Sequence, residues 1–317
     1  MRNVKQFFSK KYFWAICVSF SLSAAIAAVL LDTFVLTHKI SVEAVSATVS
    51  STEPTTSEAT ASETEETATE DTTDTEPVVT DTSYADDHLS ISLTTTRKYD
   101  TDIYIVDVQV SDPEALKTAF AENSYGRNIK ETTSQMAENN QAVLAINGDY
   151  YGFRNKGFVV RNGVLYRETA NTGTEALVID SNGDFSIVEE EQSSAQDLLD
   201  NGARQILSFG PGLLKDGEIS VTEDEEVGQA MQSNPRTAIG QIGENHYVIV
   251  VADGRTEASE GLSLYELAEV FQDAGATTAY NLDGGGSSTL WFNGNVINQP
   301  TEKGSGERSV SDILYFN

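Results

Sequence analysis

The sequence predicts an α+β fold, a mixed and largely antiparallel sheet with packed helices, preceded by one transmembrane helix and a disordered stalk. Three observations carry this. Short apolar or alternating runs recur from Leu89 onward, several joined by Asn-Gly or Asp-Gly, the pairs that favour tight hairpins. Fewer stretches repeat at helical spacing, and LSLYELAEVFQDAGA is the clearest. Upstream of Leu89 the chain is first apolar and then acidic and polar, with almost nothing to bury.

The amino-terminal layout follows from charge. Residues 1–11 form a basic tail expected in the cytoplasm, with Arg2, Lys5, Lys10 and Lys11. Residues 12–36 form the predicted signal-anchor, because 12–31 hold no charge and Asp32 is the first interruption. Lysines on the entry side place the remainder outside the cell, as a single-pass membrane protein. A cleaved signal peptide, with VSA at 45–47 as its site, is the competing reading, but that site lies far past the apolar run. Residues 37–88 are the predicted acidic stalk, rich in Ser, Thr and Glu, a spacer that lets a tethered domain reach away from the membrane. Residues 89–317 are the folded domain.

Within that domain LSISLTTTRKY and DIYIVDVQV read as paired strands. Asp112-Pro113 reads as an N-cap and first helical position, opening a helix over PEALKTAFAEN. NIKETTSQMAENN and residues 194–202 are further helices, and AVLAIN (142–147) is a short buried strand. Asn162-Gly163, Asn182-Gly183 and Asp216-Gly217 mark hairpin turns, RTAIGQIGENHYVIVVADG another hairpin, and Gly275 ends the amphipathic helix. SVSDILYF closes the chain as a strand.

The net charge of -29 excludes a phosphate-backbone binder of nucleic acid, since no basic face exists to displace counterions. The single cysteine, Cys17, lies in the apolar run, so no disulfide framework is expected, which fits a Gram-positive-like surface. Three isolated histidines, His38, His88 and His246, make a Ser-His-Asp triad or a multi-His zinc site a poor reading.

Chemistry is expected where polar and glycine residues punctuate strand ends. NLDGGGSS offers the Asp283 carboxylate, the Gly284, Gly285 and Gly286 amides and the Ser287 and Ser288 hydroxyls, an anion-binding nest or else a plain hairpin connection with Asp283 capping it. NPRT offers Arg236 and Thr237, and DGR offers Asp253 and Arg255. Arginines at two strand ends of an acidic domain suit an anionic ligand, or serve as structural ion pairs. AINGDYYG offers Asn147 for a sugar hydroxyl or phosphate oxygen and Asp149 as an acid, base or nucleophile.

Taken in order, AINGDYYG, FGPGLLKDG, NPRTAIG, VVADGR, NLDGGGSST and RSVSDILYF resemble the phosphodiester glycosidase family over roughly residues 95–317. One departure is Asp149, where the family often has a second glycine. The resemblance implies hydrolysis at the anomeric carbon of a sugar-1-phosphate diester in cell-wall or exopolysaccharide material. For that reaction the residues suggest Asp283 and then Asp149 as catalytic carboxylates, phosphate held by Arg236 and the 284–288 loop, and Arg255 and Arg308 as further phosphate or structural partners, with no cofactor expected. Two alternatives remain open at this stage. One is a non-catalytic wall-glycan-binding module on the same fold. The other is a phosphodiesterase cleaving P–O, with Asp149, Asp253 and Asp283 ligating Mg²⁺ or Ca²⁺.

Overall fold

The computed structural model describes residues 10–40, 76–224, 233–301 and 306–317. Arg2 and Lys5, and residues 41–75 of the predicted stalk with the VSA site, lie outside the described residues. The apolar run forms one helix, Lys10–Phe34. At 1.5 Å per residue it is about 37 Å long, enough to cross a bilayer core. Its apolar window, Phe13–Thr33, has a mean hydropathy of 2.2 and none of it is buried against the rest of the chain.

The domain is built from three sheets, and among the described residues every strand pairing is antiparallel. The large sheet has nine strands, centred on Thr278–Asn281, Arg236–Gly243, His246–Ala252, Thr101–Val110 and Leu89–Lys98. It continues upstream of Leu89 through Ser83–Ala85 and Val78–Val79. A five-stranded carboxy-terminal sheet runs Asn295–Val296, Leu290–Phe292, Leu144–Asn147, Asp312–Phe316, Leu116–Phe120. The middle sheet runs Val164–Arg167, Val159–Arg161, Ala203–Leu207, Glu175–Asp180, Phe185–Glu189.

Strand periodicity decides which side chain meets which layer. On one face of the large sheet Val106, Val108, Ile249 and Val251 share a core with Leu144, Ile146, Leu314 and Phe316 of the carboxy-terminal sheet. On the other face Ala238, Val248 and Val250 pack under the helix Leu264–Asp273 through Leu267, Ala268 and Phe271. That helix starts with a capping box. The Ser263 hydroxyl accepts from Glu266 N at 3.1 Å, and the Ser263 N–H donates to the Glu266 carboxylate at 2.8 Å. It stops where Gly275 takes φ +82°.

The expected hairpins form. Asn162 and Gly163 take φ 50° and 76°, and Asp216 and Gly217 take 52° and 79°, as primed turns demand. The helix expected from Pro113 does not. Asp112 does cap, accepting from Glu114 N, but the turn Pro113–Ala115 is 3-10 and gives way to the strand Leu116–Phe120. LKTAF also alternates, burying Leu116 and Thr118, and this strand completes the edge of the carboxy-terminal sheet by pairing with Asp312–Phe316. Long-range pairing overrides a local helical start.

Phe271 is fully buried against the sheet where Gly240 leaves room, since a Cβ on Gly240 would lie 2.9 Å from the Phe271 ring. Phe271→Ala is expected to lower the unfolding free energy of the domain by roughly 3–5 kcal/mol, read by chemical denaturation.

Candidate active site

Three strands end together at one edge of the core. Leu144–Asn147 and Asp312–Phe316 are neighbours, with Ile313 opposite Asn147, and Thr278–Asn281 ends just before Asp283. Asn147 ties the ends. Its Oδ1 accepts from the Thr237 hydroxyl at 2.8 Å and from Thr289 N at 3.2 Å. Its Nδ2 donates to the Asp283 carbonyl at 2.7 Å. Gly148 follows because nothing larger fits, a Cβ there falling 2.4 Å from Asp312 Oδ1.

Above this floor opens a cleft of about 280 Å³, lined by Lys130, Asp149, Tyr150, Asp283, Ser287 and Arg308 among others. Asp283 is half-buried, and its Oδ1 accepts from Gly284 N at 3.0 Å. Burial pushes its carboxyl above the usual range, while the Ser287 hydroxyl, Arg308, Arg154 and the Gly284 amide pull the other way. The Ser287 Oγ is close enough for that influence but makes no hydrogen bond of regular geometry, and Ser311 Oγ in the same cleft lacks a partner as well. Buried hydroxyls without partners are unusual and suit a polar ligand. The glycine loop closes over Gly286, whose carbonyl accepts from Arg308 N at 3.3 Å.

Asp149 has a different environment. Its Oδ1 accepts from Tyr151 N at 3.0 Å, and its Oδ2 from Arg161 Nη2 and Ser208 N, both at 2.9 Å. Arg161 is 2% exposed and also holds Asp312 Oδ2, through Nε at 2.9 Å and Nη2 at 2.8 Å. Asp312 Oδ1 is buried and unpartnered. Burial raises the Asp312 carboxyl to about 7, with Arg161 opposing and the charges of Asp149 and Asp283 adding to it.

The other expected residues lie behind the glycine loop and not on the lining of this cleft. Arg236 is 3% exposed, with Nε donating to the Leu262 carbonyl at 2.9 Å. Arg255 donates to Asn234 Oδ1 from Nε at 3.0 Å and Nη2 at 2.6 Å, and its guanidinium lies against Gly285. Gly285 N donates to the Pro235 carbonyl at 2.8 Å, so the NPRT segment buttresses the loop. Asp253 accepts from Tyr104, Asn298 and Gln299 N, and burial raises its carboxyl. Among the described residues no three of His, Cys, Asp and Glu form a metal-holding group, so the Asp149, Asp253 and Asp283 ligand set does not assemble.

Sequence reading missed Arg161, Asp312, Lys130 and Arg154. For the first two a signal existed, a lone charge inside the apolar runs FVVR and SDILYF. Lys130 is exposed on the cleft rim. Arg154 is held by the Ser208 carbonyl at 3.2 Å and lies over the Phe209 ring.

Fold and cleft define the class: an antiparallel α+β protein whose strand ends gather carboxylates, arginine and a glycine loop around one polar cleft. The phosphodiester glycosidase profile matches residues 140–317. The chain belongs to the phosphodiester glycosidase family, a family of hydrolases. It is 33% identical over 197 residues to the prophage-derived protein YomE of Bacillus subtilis, covering 60% of this chain and 30% of that one. It is 32% identical over 123 residues to N-acetylglucosamine-1-phosphodiester alpha-N-acetylglucosaminidase of Mus musculus, covering 34% of this chain and 24% of that one. The chain thus spans under a third of the length of these curated relatives. The zebrafish catalytic domain of the same enzyme, solved auto-inhibited by its pro-peptide, shares the fold with a TM-score of 0.58 at 22% identity, over 72% of this chain and 82% of that one.

The Asp312 carboxyl binds its proton more tightly folded than unfolded, so the folded state gains protons between its ordinary 3.8 and about 7. Stability from this group is therefore lost as pH rises through that window. Asp312→Asn is expected to flatten the fall in melting temperature between these limits, checked by thermal unfolding across the pH series.

Proposed function

We propose that the chain hydrolyses the glycosidic bond of a sugar-1-phosphate diester. The observation that carries this reading is Asp283, a carboxylate at a strand end, desolvated at the floor of a cleft that also holds Lys130, Arg308 and the glycine loop. In the proposed reaction the bond between the anomeric carbon and the phosphate oxygen breaks, and its electron pair leaves with the phosphate. Water adds to the anomeric carbon and gives its proton to Asp283. A phosphomonoester is already a good leaving anion, so cations and amides that receive its charge matter more than a strong general acid.

Arg308, anchored through its backbone to Gly286, and Lys130 take the phosphate, with Ser287 supplying a hydroxyl. Asp149, filled by Arg161, Ser208 and Tyr151, fixes the wall opposite. Arg236, Thr237 and Arg255 act through the loop and Asn147 rather than on the phosphate, and Asp253 braces the segment beyond the loop. N-acetylglucosamine is the sugar suggested by the name of the mouse relative.

Asp283→Asn keeps the shape of the side chain and removes its basicity. The expected result is a near-normal melting temperature and a turnover of a soluble GlcNAc-1-phosphate diester reduced roughly a hundredfold or more. Turnover within a few-fold of the parent would remove Asp283 from the reaction.

Arg308→Ala is expected to raise the barrier by roughly 2–4 kcal/mol in kcat/KM with the fold intact. Arg236→Ala is expected to act first on melting temperature. The opposite pattern would return Arg236 to the phosphate.

A further inference from the structure

The segment leaving the apolar helix is docked on the domain it tethers. His38–Lys39 pairs antiparallel with Gly126–Arg127, His38 opposite Arg127 and Lys39 opposite Gly126. Ile40 N donates to the Tyr125 carbonyl at 3.0 Å. The Asn128 amide donates to the Thr33 carbonyl at 2.9 Å and the Leu36 carbonyl at 3.0 Å. The Thr33 carbonyl is one of the last-turn groups that a helix end leaves without an intrahelical partner. Lys39 meets Glu122 at 3.3 Å. Two residues suit this contact in particular. A Cβ on Gly126 would fall 2.1 Å from the His38 carbonyl oxygen. Asn128 takes φ 58°, a left-handed conformation that asparagine tolerates better than most residues.

The dock adjoins the cleft. Asn128 N donates to the Gly152 carbonyl at 3.3 Å, and Gly152 lies between the cleft residues Tyr150 and Phe153. Lys130 lines the cleft two residues beyond Asn128, so its Cα is at most about 7 Å farther along the chain. The cleft is therefore held close to the end of the apolar helix. Val35, Leu36 and Ile40 on the docked segment are exposed, as is Tyr150 on the cleft rim. Aromatic side chains of this kind favour the bilayer interface, and a rim lysine is drawn to anionic headgroups.

We propose that this dock holds the cleft mouth at the membrane surface, and that the substrates are sugar-1-phosphate diesters whose aglycone is embedded in the bilayer. The substrate half rests on the glycosidase reading above, whereas the dock itself does not. The bond broken is the same, and the phosphomonoester product stays on the lipid. Residues 41–75 are a chain length that spans up to about 120 Å, so length alone allows a wide range of distances between helix and domain. Docking replaces that range with a fixed position, raising the effective concentration of cleft and membrane-held substrate.

The test uses the full chain in phosphatidylcholine–phosphatidylglycerol vesicles with two probes, a soluble GlcNAc-1-phosphate diester and the same headgroup on a dialkylglycerol. Ile40→Pro removes the N–H given to Tyr125 and lies outside the domain. Asn128→Gly keeps the left-handed backbone and removes the amide. Both variants are expected to keep soluble turnover within about twofold and to lose roughly tenfold or more on the lipid probe. Equal turnover of the lipid probe by parent and variants would overturn the proposal. Failure of the parent on both probes would instead overturn the glycosidase reading and the substrate half with it. Docking has its own readout. Lys39→Cys with Glu122→Cys should be joined by a short bis-maleimide in vesicles and lose that link when Ile40→Pro is added. Absence of the link in the paired variant would overturn the dock.

Discussion

The site depends on one buried guanidinium. Arg161 leaves the end of a middle-sheet strand and grips Asp149 and Asp312, both from the carboxy-terminal sheet or the loop that continues it. It also donates to the Val160 carbonyl, and to the Ile206 carbonyl on the neighbouring strand. Burying three charges costs several kcal/mol per ion in desolvation, and the pairing at best offsets this. What the cluster supplies is position: removing Arg161 would leave the buried Asp149 and Asp312 without the cation they share. The two sheets are thus held in one relation, and the loop carrying Asp149 becomes a fixed cleft wall.

Asp283 gains its setting from that rigidity. Its backbone N–H donates to the Gly148 carbonyl at 3.4 Å, and Gly148 is pressed against Asp312. The catalytic candidate and the buried cluster therefore share one glycine. The raised Asp312 carboxyl owes part of its shift to the Asp283 charge, so the protonation of the two is linked. Behind them, Arg255 and the NPRT segment hold the glycine loop against its own flexibility, which a run of three glycines otherwise makes costly to order. Family membership places the chain among the phosphodiester glycosidases, and Lys130 and Arg308 bring positive charge to the cleft that Asp283 lines.

The expected stalk starts at residue 37, and its first residues, His38–Lys39, pair with Gly126–Arg127 beside the cleft. The signal was faint. HKI and GRN carry no strand periodicity, and a two-residue pairing has none to show.

Sequence alone determined the elements whose causes are local. The Asn-Gly and Asp-Gly turns impose left-handed backbone, the 263–275 helix carries its own cap and stop, and the apolar run at 13–33 is long enough to cross a bilayer. It also marked two segments that line the cleft, those carrying Asp149 and Asp283, because glycine and polar residues punctuate their strand ends. Tertiary structure decided what each charge does. Arg236 and Arg308 look alike as arginines beside polar motifs, yet one is buried behind the loop and the other lines the cleft. Asp149 and Asp283 both end apolar strands, yet one is saturated by Arg161 and two backbone amides and the other faces the cleft. LKTAF became a strand because its partner lies almost two hundred residues away. Such assignments rest on contacts between distant segments, and a charge's role is set by burial and partners that no local pattern encodes.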